Sequence, residues 1–170
     1  LLVYRPAGIE TSPSDWATTA TITQTLSFPA AASDSLVTLT LYQSLEGAIL
    51  DEENHLVLED DKLVEVLTFY QQGVRSELLS AKLSIFENDE QVWIDFTDEQ
   101  SQLVITWASR YLQSPLVEAT IAPLPTATGI PYTLATGWAW ALTSPDPDRQ
   151  ILSAQLAEFL TISGFLGEWN

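Results

Sequence analysis

Gln102-Leu-Val-Ile-Thr-Trp107-Ala-Ser-Arg-Tyr-Leu112 reads as a strand over 102–106 that turns straight into a helix at Trp107. The apolar and β-branched run suits a pleated, buried surface. A strand that feeds directly into a helix is the basic step of an α/β chain. In open α/β sheets such strand-to-helix turns line the ligand crevice. One stretch therefore indicates both a fold class and a place to look for a site, with Trp107 standing on the turn.

The flanking sequence repeats the step. Residues 1–4 and 26–28 read as short strands, the second stopped by Pro29. Between them, Ser12 is placed to cap a threonine-rich helix with Pro13 in its first turn. Residues 34–45 read as a buried helix ended by Gly47, and 48–58 as a small hairpin around an acidic turn. Asp60 or Asp61 caps the next helix, whose apolar positions are Leu63, Val66, Leu67, Phe69, Tyr70 and Val74. Residues 86–96 form another helix, with Val92, Trp93 and Phe96 inward. Residues 119–122 read as a strand, and Pro123-Leu-Pro125 forces an extended connector.

Residues 131–143 alternate as a strand does. Thr133, Ala135, Gly137, Ala139 and Ala141 share one face; Leu134, Thr136, Trp138, Trp140 and Leu142 share the other. Ser144-Pro-Asp-Pro147 then starts a helix with an apolar side at Ile151, Ala154, Leu156, Ala157, Phe159 and Leu160, and 163–169 adds a short last helix. Short strands between longer helices predict an α/β fold.

Composition narrows the function. With 170 residues the chain can bury roughly 70% of its unfolded surface. It has no Cys and one His, which excludes a disulfide scaffold, Cys-based zinc sites and multi-histidine metal centres. A net charge of -17 repels phosphate backbones and anionic lipid, so nucleic acid is not an expected partner. No run reaches the ~18 apolar residues of a membrane span. The chain begins in a strand-like run and contains no Met, so it reads as a piece of a longer protein.

Enzymatic motifs are lacking. There is no phosphate-cradling GxxxxGK[ST] loop and no G-x-S-x-G elbow. The clusters Asp51-Glu52-Glu53, Glu59-Asp60-Asp61 and Glu87-Asn-Asp89-Glu90 read as solvated turns and helix starts. Asp51-Glu-Glu-Asn54 lacks the spacing of a calcium loop, and His55 sits in a polar turn. No cofactor, metal or enzymatic activity is expected.

What remains is an aromatic pair. Trp107 lies at a strand-to-helix turn, and Trp138 follows Gly137, where a backbone gap admits a ligand or another chain segment. A tryptophan face packs against the C–H face of a sugar, while Thr106, Ser109 and Thr136 could bond its hydroxyls. The alternative is that both tryptophans fill the core.

Three blocks, in order, resemble the extracellular solute-binding proteins of ABC sugar importers, the family that includes maltose-binding protein. They are Leu1-Leu-Val-Tyr4 with Ala7-Gly-Ile-Glu10 and Pro13-Ser-Asp-Trp16; residues 96–107; and Ala122-Pro-Leu-Pro125 with Ala135-Thr-Gly-Trp138, Ser144-Pro-Asp-Pro147 and Ala157-Glu-Phe-Leu160. The chain departs from the family at Glu46-Gly47, at Asp98-Glu-Gln100 and at Thr136-Gly-Trp138, where members often carry glycine or Gly-Gly.

The resemblance implies a periplasmic-binding-protein-like lobe of type II, with a mixed sheet flanked by helices and an incomplete second lobe. Residues 1–5 would be a crossing strand, 6–121 the ligand-binding lobe, 122–132 a crossover linker and 133–170 a strand-helix segment of the other lobe. It implies capture of a sugar or other solute by lobe closure and delivery to ABC permease subunits. The location would be extracellular or periplasmic, with a lipoprotein tether. Trp107 and Trp138 would stack on the ligand, Gly137 would admit its approach, and Thr106, Ser109, Thr136 and Tyr42 would contact hydroxyls. Arg110 is expected to pair with an acidic neighbour, and Trp140 to be core. The incomplete lobe predicts association, such as a homo-oligomer. The rival readings are a fragment of an acidic glycoside hydrolase and a self-associating structural domain.

Overall fold

A computed structural model describes residues 1–7, 9, 11–34, 36–137 and 139–169. The chain divides into two units, Leu1–Leu134 and Ala135–Asn170. The first is built on a four-stranded mixed sheet of order β2-β3-β1-β4. Strand β1 (Leu2–Tyr4) lies antiparallel to both β3 (Leu103–Ile105) and β4 (Thr120–Ala122), with Val3 opposite Val104 and Ile121. Strand β2 (Leu26–Ser27) runs parallel to β3. Every residue of β1 and β3 is buried, as continuous apolar runs require in a sheet covered on both faces.

Helices supply the cover. The order through the first unit is α1 (Trp16–Thr19), α2 (Leu36–Ser44), α3 (Asp60–Arg75), a 3-10 turn (Ala81–Ile85), α4 (Asp89–Thr97) and α5 (Ala108–Gln113). Helix α4 packs on β2 and β3 through Val92, Trp93 and Phe96, the three residues expected inward. Helices α2 and α3 pack on each other, where the Thr38 and Tyr70 hydroxyls are 3.0 Å apart. Residues 48–58 close as a hairpin at the Leu50–Leu56 bridge.

Several expectations need correction. The first helix is one turn long, and Asp15, not Ser12, caps it: Asp15 Oδ1 accepts from Thr18 N at 2.7 Å. Asp15 and Thr18 form a reciprocal capping box, which moves the start past Pro13. Helix α3 is preceded by Glu59, and its first turn holds Asp60 and Asp61. Its inward stripe contains Val66, Phe69 and Gly73, while Leu67 and Val74 are exposed. Gly73 permits this: a Cβ there would lie 2.7 Å from Leu79 Cγ, so the returning chain packs directly on the helix backbone.

The larger correction concerns residues 131–143. The described residues of this stretch form no strand. A strand needs a partner ladder, and the sheet of the first unit is made of β1 to β4. Trp140, expected in the core, is 66% exposed.

The second unit holds α6 (Pro147–Leu160) and α7 (Ser163–Trp169), which pack on each other with the Phe159 and Phe165 rings 5.2 Å apart. Asp146 caps α6 with Pro147 in its first turn, within the Ser144-Pro-Asp-Pro147 stretch expected to start it. No side chain of α6 is buried.

Candidate functional site

The corner between β3 and α5 carries the densest polar construction near an exposed aromatic. It begins with α4. Asn88 Oδ1 accepts from Gln91 N at 3.0 Å, and Gln91 Oε1 accepts from Glu87 N at 2.6 Å. This double cap fixes the first turn, and the apolar side of α4 anchors it to β3. Asp89, the first helical residue, is thereby held over the end of the strand.

Asp89 is where the corner converges. Its Oδ1 accepts from Thr106 Oγ1 at 2.6 Å and from Trp107 N at 3.4 Å. Its Oδ2 accepts from Arg110 Nε at 3.1 Å. Arg110 Nη2 lies 2.6 Å from Glu90 Oε2. The hydrogen bond to Asp89, with the charges of Glu90 and Asp89 beside it, holds the Arg110 guanidinium above its ordinary pKa. Thr106 N also donates to Leu1 O at 3.0 Å, so the backbone is held on its other side by the start of the chain.

Trp107 occupies the N-cap position of α5, in extended backbone conformation, and is 37% exposed. It makes no ring contact with an aromatic partner among the described residues. An indole held at a fixed corner with open surface can receive a flat apolar face of a ligand. Ser109 follows on the exposed first turn of α5.

The remaining candidates lie elsewhere. Tyr42 is fully buried; its hydroxyl donates to Ala48 O at 2.6 Å and accepts from Glu59 N at 2.9 Å. It joins the end of α2 to the hairpin and to the start of α3. Thr136 and Gly137 are exposed in the second unit, and a Cβ on Gly137 would meet nothing within 4 Å. Trp138 lies outside the described residues. The structure thus gathers Thr106, Trp107 and Ser109 at one corner.

Arg110 pairs with acidic neighbours, as expected. The residue that sequence reasoning missed is Asp89, placed there among solvated helix starts. Its side chain is only 16% exposed. The one available signal was Arg110 itself, an arginine just after the tryptophan in a chain with six basic residues. Its partner, 21 positions earlier, is visible only once α4 lies against β3.

The remaining polar features lie away from this corner. His55 is exposed, with Nδ1 3.3 Å from Asp51 Oδ2 and 3.5 Å from Glu53 Oε2. Among the described residues no group of His, Cys, Asp and Glu could hold a metal ion. An open depression of about 370 Å³ is lined by Ile9, Pro13, Thr18, Thr21, Ile22 and Gln24, among others. The Thr18 and Thr21 hydroxyls there already bond backbone carbonyls.

No family model and no curated protein sequence matches the chain. Solved structures do. Maltose-bound MalE3 of T. maritima aligns with a TM-score of 0.66 and 18% identity, over 97% of this chain and 48% of that one. The sugar-binding protein MalE of the phytopathogen Xanthomonas citri aligns with a TM-score of 0.62 and 17% identity, over 95% and 46%. The chain has the fold of these proteins and spans just under half their length. The expected periplasmic-binding-protein-like α/β architecture, a mixed sheet flanked by helices, is what the structure contains.

Proposed function

We propose that this chain is part of a carbohydrate-binding protein and that Trp107 is its stacking platform. The observation that carries this reading is an exposed indole at the β3–α5 corner, clamped through its neighbours to Asp89. The fold it shares with a maltose-bound protein and a sugar-binding protein supports the ligand class. Thr106 gives its hydroxyl to Asp89, so it supports the platform more directly than it meets a ligand. Ser109 remains the nearby hydroxyl with exposure to contact one. Trp138, with Gly137 and Thr136, is the second platform in this proposal.

In a chain of the neighbours' full length, the two platforms close on a sugar from opposite lobes. The closed state is the one recognised by an ABC permease. The protein works outside the cytoplasm, extracellular or periplasmic, held by a lipid anchor. No helix among the described residues is long and apolar enough to cross a membrane. Binding without chemistry follows from the neighbours, which are described as binding sugars.

Calorimetry with maltose on a protein of the neighbours' length tests the sites. Trp107→Ala and Trp138→Ala are each expected to weaken binding by about two- to twelvefold, from ~0.5–1.5 kcal/mol of lost stacking. Unchanged affinity in both contradicts the proposal. Release of chromophore from chromogenic glycosides would favour the hydrolase instead.

A further inference from the structure

We infer that Asp89 is a positioning residue for Trp107: one carboxylate on α4 sets the orientation in which the indole meets solvent. The inference rests on the reading of Trp107 as a sugar platform. Trp107 has no aromatic partner among the described residues, so the backbone position from which its ring extends matters the more. That segment is tied to Asp89 at three places within five residues, one through the backbone and two through side chains. They are the hydroxyl of Thr106, the amide of Trp107 and the guanidinium of Arg110.

A purely helix-capping role does not account for this arrangement. A carboxylate in the first turn offsets the helix dipole wherever it points, and Glu90 supplies one in the same turn. Asp89 instead directs both oxygens away from its own helix, onto residues 17 to 21 positions later. Its side chain is 16% exposed and that of Arg110 27%, so the pair is partly shielded from water. A charge-assisted pair of this kind is directional as well as strong. Glu90 holds the other arm of Arg110, which stops the guanidinium turning. Stacking on a sugar face is helped by an indole carried from a set position, and this clamp holds the segment that carries it.

The test uses fluorine NMR of the chain labelled with 5-fluorotryptophan, six sites in all. The Trp107 line is identified by its loss in Trp107→Phe. Asp89→Asn keeps the side-chain shape, removes the charge and turns an N–H toward Arg110. It is expected to shift and broaden the Trp107 line without ligand, while the line of Trp16, stacked on Phe69, stays in place. Thr106→Val removes one arm of the clamp and is expected to move the same line, which keeps the test decisive if Asp89→Asn folds poorly. Glu90→Gln removes equal charge from the same turn and is expected to move it less.

Excess maltose is then added. It should shift the Trp107 line in the parent, with affinity weakened roughly tenfold in Asp89→Asn. A Trp107 line that is unchanged in Asp89→Asn and Thr106→Val overturns the positioning role. If maltose moves no line in the parent, the sugar reading fails, while the ligand-free spectra still decide what Asp89 does.

Discussion

Glu46, Glu77 and Glu99 each follow a helix with φ of 63°, 64° and 59°. This left-handed region favours glycine, because a Cβ crowds the following carbonyl. At Glu99 the geometry is a Schellman motif: Glu99 N donates to Phe96 O at 3.2 Å and Gln100 N to Asp95 O at 2.9 Å. Glu46 repeats it, with Glu46 N on Gln43 O and Gly47 N on Tyr42 O. Both fall where the chain departs from glycines common in the sugar-importer binding proteins that its sequence resembles. The turns survive the departure, and the cost is conformational. Glu99→Gly should therefore stabilise the protein by about 1 kcal/mol, the left-handed cost relieved less the unfolded-state entropy of glycine. Urea denaturation measures it; a lower midpoint for the variant contradicts the argument.

The helices were legible wherever periodicity met a local stop signal. Helix α6 starts at Pro147 because Asp146 and Pro147 encode the cap locally. Helix α4 was legible through its Val92, Trp93 and Phe96 side, but its start was expected at residue 86, three residues before Asp89, because the Asn88 cap was not read. Residues 131–143 show the opposite case. Alternation records that two faces differ, and pairing depends on a partner that no local pattern contains. Leu67 has the spacing of an inward residue, yet Gly73 sets the inward stripe by letting Leu79 approach. The strand-to-helix turn at Trp107 was legible, whereas the place of Asp89 was not, because its partners come from a later strand and helix.

The α2–α3 pairing is testable through pH. Burial pushes the Tyr70 phenol up to about 12, against a smaller opposing effect of its bond with Thr38. The folded state therefore holds the proton more tightly than the unfolded one. The resulting stability is full below the ordinary pKa near 10 and is lost as pH rises toward 12, by roughly 2 kcal/mol. Tyr70→Phe should flatten that decline in denaturation midpoints between about pH 10 and 12; an unchanged slope contradicts it.

At the scale of the molecule, the two units differ in how they are held. The first has a core that includes Leu2, Val66, Val92, Phe96 and Leu103, each fully buried. In the second, Ile151, Leu152, Leu156 and Phe159 are all more than half exposed. A helix with so little burial opens readily. Amides of α6 should exchange with solvent deuterium much faster than those of α3 and α4; equal protection would show that α6 is covered in solution.

The proposed contact of a sugar with Trp107 can be read directly. Saturation-transfer NMR on maltose reads even weak contact, as suits a chain spanning under half of its neighbours' length. The account predicts transfer from the protein to the sugar ring protons, and loss of most of it in Trp107→Ala. No transfer in the parent, or transfer undiminished by Trp107→Ala, would contradict it.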